Sequence, residues 1–182
     1  TIRAAPRLAQ ALRVARHAST LSRPVSRTEP HRPHVHFTPA RHWINDPNGL
    51  VWFEGEYHLF YQTNPFGIEW GHMSWGHAVS TDALHWQELP VAIAEDERAS
   101  IFSGSVVVDS TNSSGFGVDG IVPLVAVYTG CLRRPEGGQA QELAYSLDRG
   151  RTWTKYAANP VLDLGLRDFR DPKVFWHEPT AR

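Results

Sequence analysis

From residue 34 onward, apolar residues come in short runs broken by turn formers. Leu50-Val-Trp-Phe53 and Tyr57-His-Leu-Phe-Tyr61, separated by Glu-Gly-Glu, predict a β-hairpin with a glycine in its turn. Residues 77–80, 105–108, 124–128 and 142–146 predict further strands. No stretch beyond residue 34 keeps a helical period, so the expected class is all-β.

The pattern also repeats. Ala78-Val-Ser-Thr-Asp-Ala-Leu-His-Trp86 resembles Ala144-Tyr-Ser-Leu-Asp-Arg-Gly-Arg-Thr-Trp153: a strand, Ser-x-Asp, a turn, then Trp. The Asp can bond turn N–H groups and the Trp can close over the apolar side of the hairpin. The two serines lie 66 residues apart (146 minus 80), somewhat longer than the ~40–50 residues of common propeller blades. A second echo is the pair Asp46-Pro47 and Asp171-Pro172, each expected at the start of a strand. Repeated antiparallel sheets with Asp-Pro elements lining a centre predict a β-propeller. Blade one is expected over roughly 40–95 and blade two over roughly 100–162, with blade three only begun at 167. Two and a fraction blades cannot close a ring, so exposed edge strands are expected.

Residues 1–33 differ in kind. They carry seven Arg against the single acid Glu29, a charge of +6 that leaves −7 for the rest of a chain whose net charge is −1. Three readings compete for this stretch. Its Arg-rich, acid-poor composition fits a transit peptide; Arg13 and Arg16 interrupt the apolar core a secretory signal needs; a disordered leader or a displaced reading frame accounts for it with least. The start at Thr1 favours the last reading, although a processed terminus would look the same. The acidic body gives no basis for nucleic-acid binding, and no apolar run approaches the ~18 residues of a membrane span. Seven Trp, five Tyr and eight Phe suit pleated sheets and also supply flat faces for sugar rings. Cys131 is the only cysteine, which excludes an internal disulfide and a thiolate metal cluster. The ten His residues lack the spacing of known metal sites; neither metal nor cofactor is expected.

Candidate chemistry centres on two carboxylates. In Trp43-Ile-Asn-Asp-Pro-Asn-Gly49, Asp46 stands between an amide and a Pro, entering a tight turn that would present it rigidly at a strand end. In Arg167-Asp-Phe-Arg-Asp-Pro172, Arg170 beside Asp171 can keep that carboxylate ionised and can bond sugar hydroxyls. Two fixed carboxylates on facing blades with aromatic walls describe a glycosidase pocket.

These motifs, with Phe60-Tyr-Gln-Thr-Asn-Pro65, Trp70-Gly-His-Met-Ser-Trp-Gly-His-Ala78 and Phe102-Ser-Gly-Ser105, resemble in order and spacing those of glycoside hydrolase family 32, which includes invertases, levanases and exo-inulinases. Ile44 stands where that pattern usually has Met, a volume-conserving change. The resemblance covers about 34–178 and implies the N-terminal part of a five-bladed propeller catalytic domain over 34–182. It implies release of terminal β-D-fructose from sucrose or fructans by a retaining mechanism, and it favours an extracellular or periplasmic setting. By resemblance Asp46 is the nucleophile and Asp171 the transition-state stabiliser, assisted by Arg170. Asn45, Gln62, Trp70, Phe102 and Ser103 line the fructose site. Core packing is the plainer reading of Trp70 and Phe102, and a solvent-facing strand position that of Gln62. The family's acid/base is a Glu followed by Cys, several tens of residues beyond the Arg-Asp-Pro motif. Only eleven residues follow Asp171 (182 minus 171), Glu178 is too close, and Glu95, Glu136 and Glu142 lack motif support. The chain by itself is therefore expected to lack its general acid and to be inactive. An inverting relative that cuts pentose polymers fits the motifs less well. A non-catalytic fructose-binding protein is the serious alternative. Phe-Ser-Gly-Ser and the Leu-Ala-Tyr-Ser-Leu-Asp stretch lean towards microbial levanases and exo-inulinases.

Overall fold

The computed structural model describes residues 27–180, and the sequence-stretch 1–26 of the expected leader lies outside them. Residues up to Arg41 and residues from His42 on form two separate units. In the first, Arg32 pairs with Glu29 at 2.7 Å and donates to Thr38 Oγ1 and the Pro39 carbonyl.

The second unit is all-β. Strands β1 (Trp43–Phe53), β2 (Glu56–Asn64), β3 (Ser74–Ser80) and β4 (Gln87–Ile93) form one antiparallel sheet in that order. Strands β5 (Ala99–Val108), β6 (Leu124–Leu132), β7 (Gln139–Ser146) and β8 (Thr154–Lys155) form a second. Both are meanders whose limits match the two expected blades. The hairpin β1–β2 closes through Glu54-Gly55, both with positive φ, the two-residue turn whose twist suits paired strands. Central strands β2 and β3 are buried along nearly their whole length and carry buried polar residues, among them His58, Gln62 and His77, beside their apolar ones. Edge strand β4 escapes the sequence pattern because Gln87, Glu88 and Pro90 interrupt it. Pro90 falls in the irregular stretch of its pairing with β3, where no ladder N–H is needed.

The two sheets pack face to face. Phe60, Trp75 and Ile93 from the first meet Ile101, Val106, Leu124, Ala126, Tyr128 and Ala144 from the second. Trp75 is fully buried, its ring 5.7 Å from Phe60 and 6.0 Å from Tyr128. The repeated Ser-x-Asp element is a real structural unit. Ser80 Oγ donates to Asp82, while Asp82 Oδ1 accepts the amides of Leu84 and His85. Ser146 Oγ donates to Asp148, which accepts the amide and hydroxyl of Thr152. Trp153 reaches beyond its own hairpin to meet Phe60 edge-on at 5.4 Å.

One expectation fails. Asp171-Pro172 opens no strand: residues 167–177 have no ladder partner among the described residues, and side chains hold them instead.

His58 and His77 are buried together, Nδ1 to Nε2 at 3.1 Å. Burial pushes His58 down to about 4 and His77 to about 3, and repulsion from His58 and Arg151 adds to the cost of charging His77. Glu56 opposes the shift of His58; Arg149 and Arg151 reinforce it. Both folded values lie below the unfolded value near 6.5, so the unfolded chain binds protons that the folded chain refuses. Their contribution is intact above pH ~6.5 and is lost as pH falls towards 4, by up to roughly 1.4 kcal/mol per pH unit for each histidine. Ordinary carboxylates titrate lower, so the window from ~6.5 to ~5 reports on histidines, and the double variant picks out this pair. Thermal melts should show Tm dropping across that window, and a His58→Leu/His77→Leu variant should flatten the drop; an equal slope in both proteins would assign the acid sensitivity elsewhere.

Candidate active site

Two bulged strands lie side by side where the candidate residues sit. In β1 the pairing slips between Ile44 and Pro47 and again between Asn48 and Val51. In β5 it slips between Ile101 and Gly104. Bulges turn side chains out of the regular alternation and gather at functional sites. Those of β1 and β5 aim Asp46 and Ser103 at each other. Asp46 is thus held inside a kinked strand, and the tight turn expected from Pro-Asn-Gly is a correction: Pro47 and Gly49 are accommodated by the bulges. Gly49 has φ +54, and a Cβ there would meet Val106 at 2.6 Å and Phe60 at 2.8 Å, so β1 needs glycine to approach the core.

Ser103 Oγ donates to Asp46 Oδ2 at 2.8 Å. This bond, more than any other contact, holds the Asp46 carboxyl below its ordinary range; Asn45 acts in the same direction and partial burial opposes both. A carboxylate kept ionised and exposed on one side is suited to nucleophilic attack. Trp43 Nε1 donates to Asn45 Oδ1 at 2.6 Å, which fixes that amide. Asn48 is buried, donating to the Asp46 carbonyl and accepting the Gly104 amide at 3.2 Å, so it ties the two bulges together. The Asn45-to-Asp46 corner is therefore built by Trp43 and Asn48 as well as by the residues singled out from sequence.

Trp70 is 61 % exposed and meets Phe102 edge-on at 6.2 Å. It is a surface ring, and the core-packing reading does not hold for it. Gln62 is 2 % exposed, so it does not face solvent, and its Nε2 has no acceptor among the described residues.

Asp171 has φ +65. Arg170 stands beside it but is directed mainly elsewhere: Nη1 donates to Asp168 at 2.5 Å and to Gln139 Oε1 at 3.3 Å, while its Nε lies 3.9 Å from Asp171 Oδ2. Asp168, two residues upstream, is the partner that the sequence reading overlooked. Thr129, Gln139, Gln141 and Ser105 hold this segment's backbone and were also overlooked. All four are polar and buried within strands. Cys131 is half-buried and its thiol is pushed up by burial, which does not suit a nucleophile. Among the described residues no group of three or more His, Cys, Asp or Glu is placed to hold a metal. No described helix is long and apolar enough to cross a membrane.

Residues 36–182 match the Glycosyl hydrolases family 32 N-terminal domain. A levanase of Bacillus subtilis is 59 % identical over 155 residues, covering 85 % of this chain and 22 % of that protein. An extracellular exo-inulinase of Aspergillus awamori is 48 % identical over 177 residues, covering 85 % and 33 %. The crystal structure of exo-inulinase from Aspergillus awamori superposes with a TM-score of 0.80 at 47 % identity, covering 86 % of this chain and 35 % of the other. That of the Schwanniomyces occidentalis fructofuranosidase complexed with fructose gives 0.78 at 46 %, covering 87 % and 32 %. The chain thus spans about a fifth to a third of the length of these relatives, and its two sheets correspond to blades of their β-propeller.

Proposed function

The chain belongs to glycosyl hydrolase family 32, and from that premise we propose that it forms the part of a retaining fructosidase that binds the terminal fructose and supplies the nucleophile. The observation that carries this reading is the Ser103–Asp46 bond at 2.8 Å, which keeps Asp46 ionised and aimed. Asp46 attacks the anomeric carbon of fructose as the bond to the leaving oxygen breaks, giving a covalent fructosyl-enzyme that water later hydrolyses. Asp171, with Arg170, binds fructose hydroxyls and offsets the positive charge that develops at the anomeric carbon. The buried, unmatched Gln62 amide supports a role as hydroxyl donor, and Asn45 a second polar contact. The exposed Trp70 and its neighbour Phe102 offer apolar faces to the sugar. The higher identity to a levanase (59 %) than to the invertases (47 %) favours fructans over sucrose as substrate.

A retaining reaction also needs an acid to protonate the leaving oxygen. Of the four glutamates considered, Glu178 is too close in sequence to Asp171, and the other three are engaged elsewhere. Glu95 pairs with His72 and Arg133, Glu136 with Arg134, and Glu142 is buried beside Arg98. The 182-residue polypeptide assayed alone is expected to bind fructose and release none from sucrose or levan. In an active protein carrying this chain, proton NMR should show β-fructofuranose as the first anomer released. The α anomer appearing first, or turnover by the isolated polypeptide, would overturn the assignment.

A further inference from the structure

The segment that carries Asp171 is fixed without strand pairing. Gln141 Nε2 donates to the Phe169 carbonyl at 2.8 Å, and the Phe169 amide donates to Gln139 Oε1 at 2.9 Å. The Asp171 amide donates to Thr129 Oγ1 at 3.0 Å. Beyond it, Ser105 Oγ donates to the Pro172 carbonyl and accepts the Val174 amide, both at 3.0 Å. Thr129 Oγ1 in turn donates to Gln141 Oε1 at 3.1 Å. Each hydroxyl therefore has its donor and an acceptor site committed, which leaves it no second orientation.

These four side chains come from three neighbouring strands: Ser105 from β5, Thr129 from β6, Gln139 and Gln141 from β7. Their exposures run from 0 to 7 %. Burying polar side chains is unfavourable unless they are bonded. Here the bonds go chiefly to the backbone around one carboxylate. That carboxylate's own residue adopts a left-handed φ of +65, a conformation a non-glycine residue keeps only where its surroundings enforce it. The enforcing contact from Thr129 falls on the amide of that same residue.

We propose that Thr129 and Ser105, supported by Gln139 and Gln141, are positioning residues that set Asp171 against the fructose site. Ser103 and Ser105 stand two apart on β5, one on the Asp46 carboxylate and the other on the chain just past Asp171, so a single strand fixes both acids. This inference rests on the assignment of Asp171 to the fructose pocket.

Thr129→Val keeps the shape and removes the hydroxyl; Thr129→Ser keeps the hydroxyl. Amide hydrogen exchange and fructose titration on the 182-residue chain separate the possibilities. In Thr129→Val, exchange at 169–172 should rise on the order of 10-fold while the β6–β7 ladder is unchanged, and fructose affinity should fall by a similar factor. Thr129→Ser should restore both. Ser105→Ala is the second variant, expected to loosen 172–174 with β5–β6 pairing intact. Unchanged exchange at 169–174, or an equal rise throughout the sheet, would overturn the proposal and leave these residues a purely fold-supporting role. Absence of fructose binding by the parent chain would count against the pocket assignment instead, because the exchange data still decide whether the segment is tethered as described.

Discussion

Replacing Asp46 with Asn in an active protein that carries this chain is expected to end fructose release while sugar binding survives. The amide has the shape of the carboxylate, and its oxygen still accepts the Ser103 hydroxyl, so the bulged corner of β1 and β5 is preserved. What disappears is the charge and the nucleophile. Without a covalent intermediate the first displacement has no route, and kcat should fall by at least about 10⁴-fold. The contacts proposed for Asn45, Gln62 and Trp70 are untouched by the change, so calorimetric titration with fructose should give an affinity close to the parent's. A fall in kcat below about tenfold would place the nucleophile elsewhere. Loss of binding together with activity would show instead that the substitution had disrupted the corner.

The largest effect on stability is expected at Trp75. Its side chain is fully buried between the two sheets, touching Phe60 on one side and Tyr128 on the other. Truncation to Ala removes that surface and leaves a cavity that facing strands cannot easily fill, at a cost of about 3–5 kcal/mol. The indole N–H also donates to the Phe102 carbonyl at 3.0 Å, and that carbonyl loses its partner. Set against a typical total of about 5–15 kcal/mol, such a loss removes a large fraction of the stability, and at the low end of that range nearly all of it. Urea denaturation followed by circular dichroism should show a much lower midpoint for Trp75→Ala. Trp75→Phe keeps most of the ring and loses the hydrogen bond, so it should cost about 1–2 kcal/mol. Because Phe102 precedes Ser103, the milder variant should also weaken fructose binding. An unchanged midpoint for Trp75→Ala would mean that the sheets are joined elsewhere.

Strands β2, β6 and the latter part of β7 were legible because each holds a short apolar run, Leu59-Phe-Tyr61, Leu124-Val-Ala-Val-Tyr128 and Leu143-Ala-Tyr145, set by packing against the core. The repeated Ser-x-Asp hairpins were legible because their chemistry is local: a hydroxyl and a carboxylate capping nearby amides. The first half of β1 was not. Its Asn, Pro and Gly carry turn signals, and only pairing with β2 shows that a strand absorbs them as bulges. β4 was hidden for a related reason, since a Pro and two polar residues are tolerable only at an edge. The same limit applies to the site. Asp46, Ser103 and Asp171 sit in recognisable motifs, whereas Thr129, Gln139 and Gln141 look like incidental polar residues in strands. Their partners lie 28 to 42 residues further along the chain, and no local pattern reports a contact at that separation. Arg170 was legible only in part: its pairing with Asp171 at 3.9 Å is present, but a shorter one goes to Asp168. Adjacency in sequence pointed to Asp171 and gave no sign of the second carboxylate two residues upstream.

In both sheets every strand pairs with its immediate predecessor or successor in the chain. Each sheet can therefore be completed from one continuous stretch, the first as soon as Ile93 is available. On a ribosome, where synthesis delivers about 5–20 residues per second and hairpins close in about 1–10 μs, the first sheet has ample time to form before β5 emerges. Its inner face, with Phe60 and Trp75, would then stand ready as a template on which the next sheet condenses, so that assembly proceeds in the direction of translation.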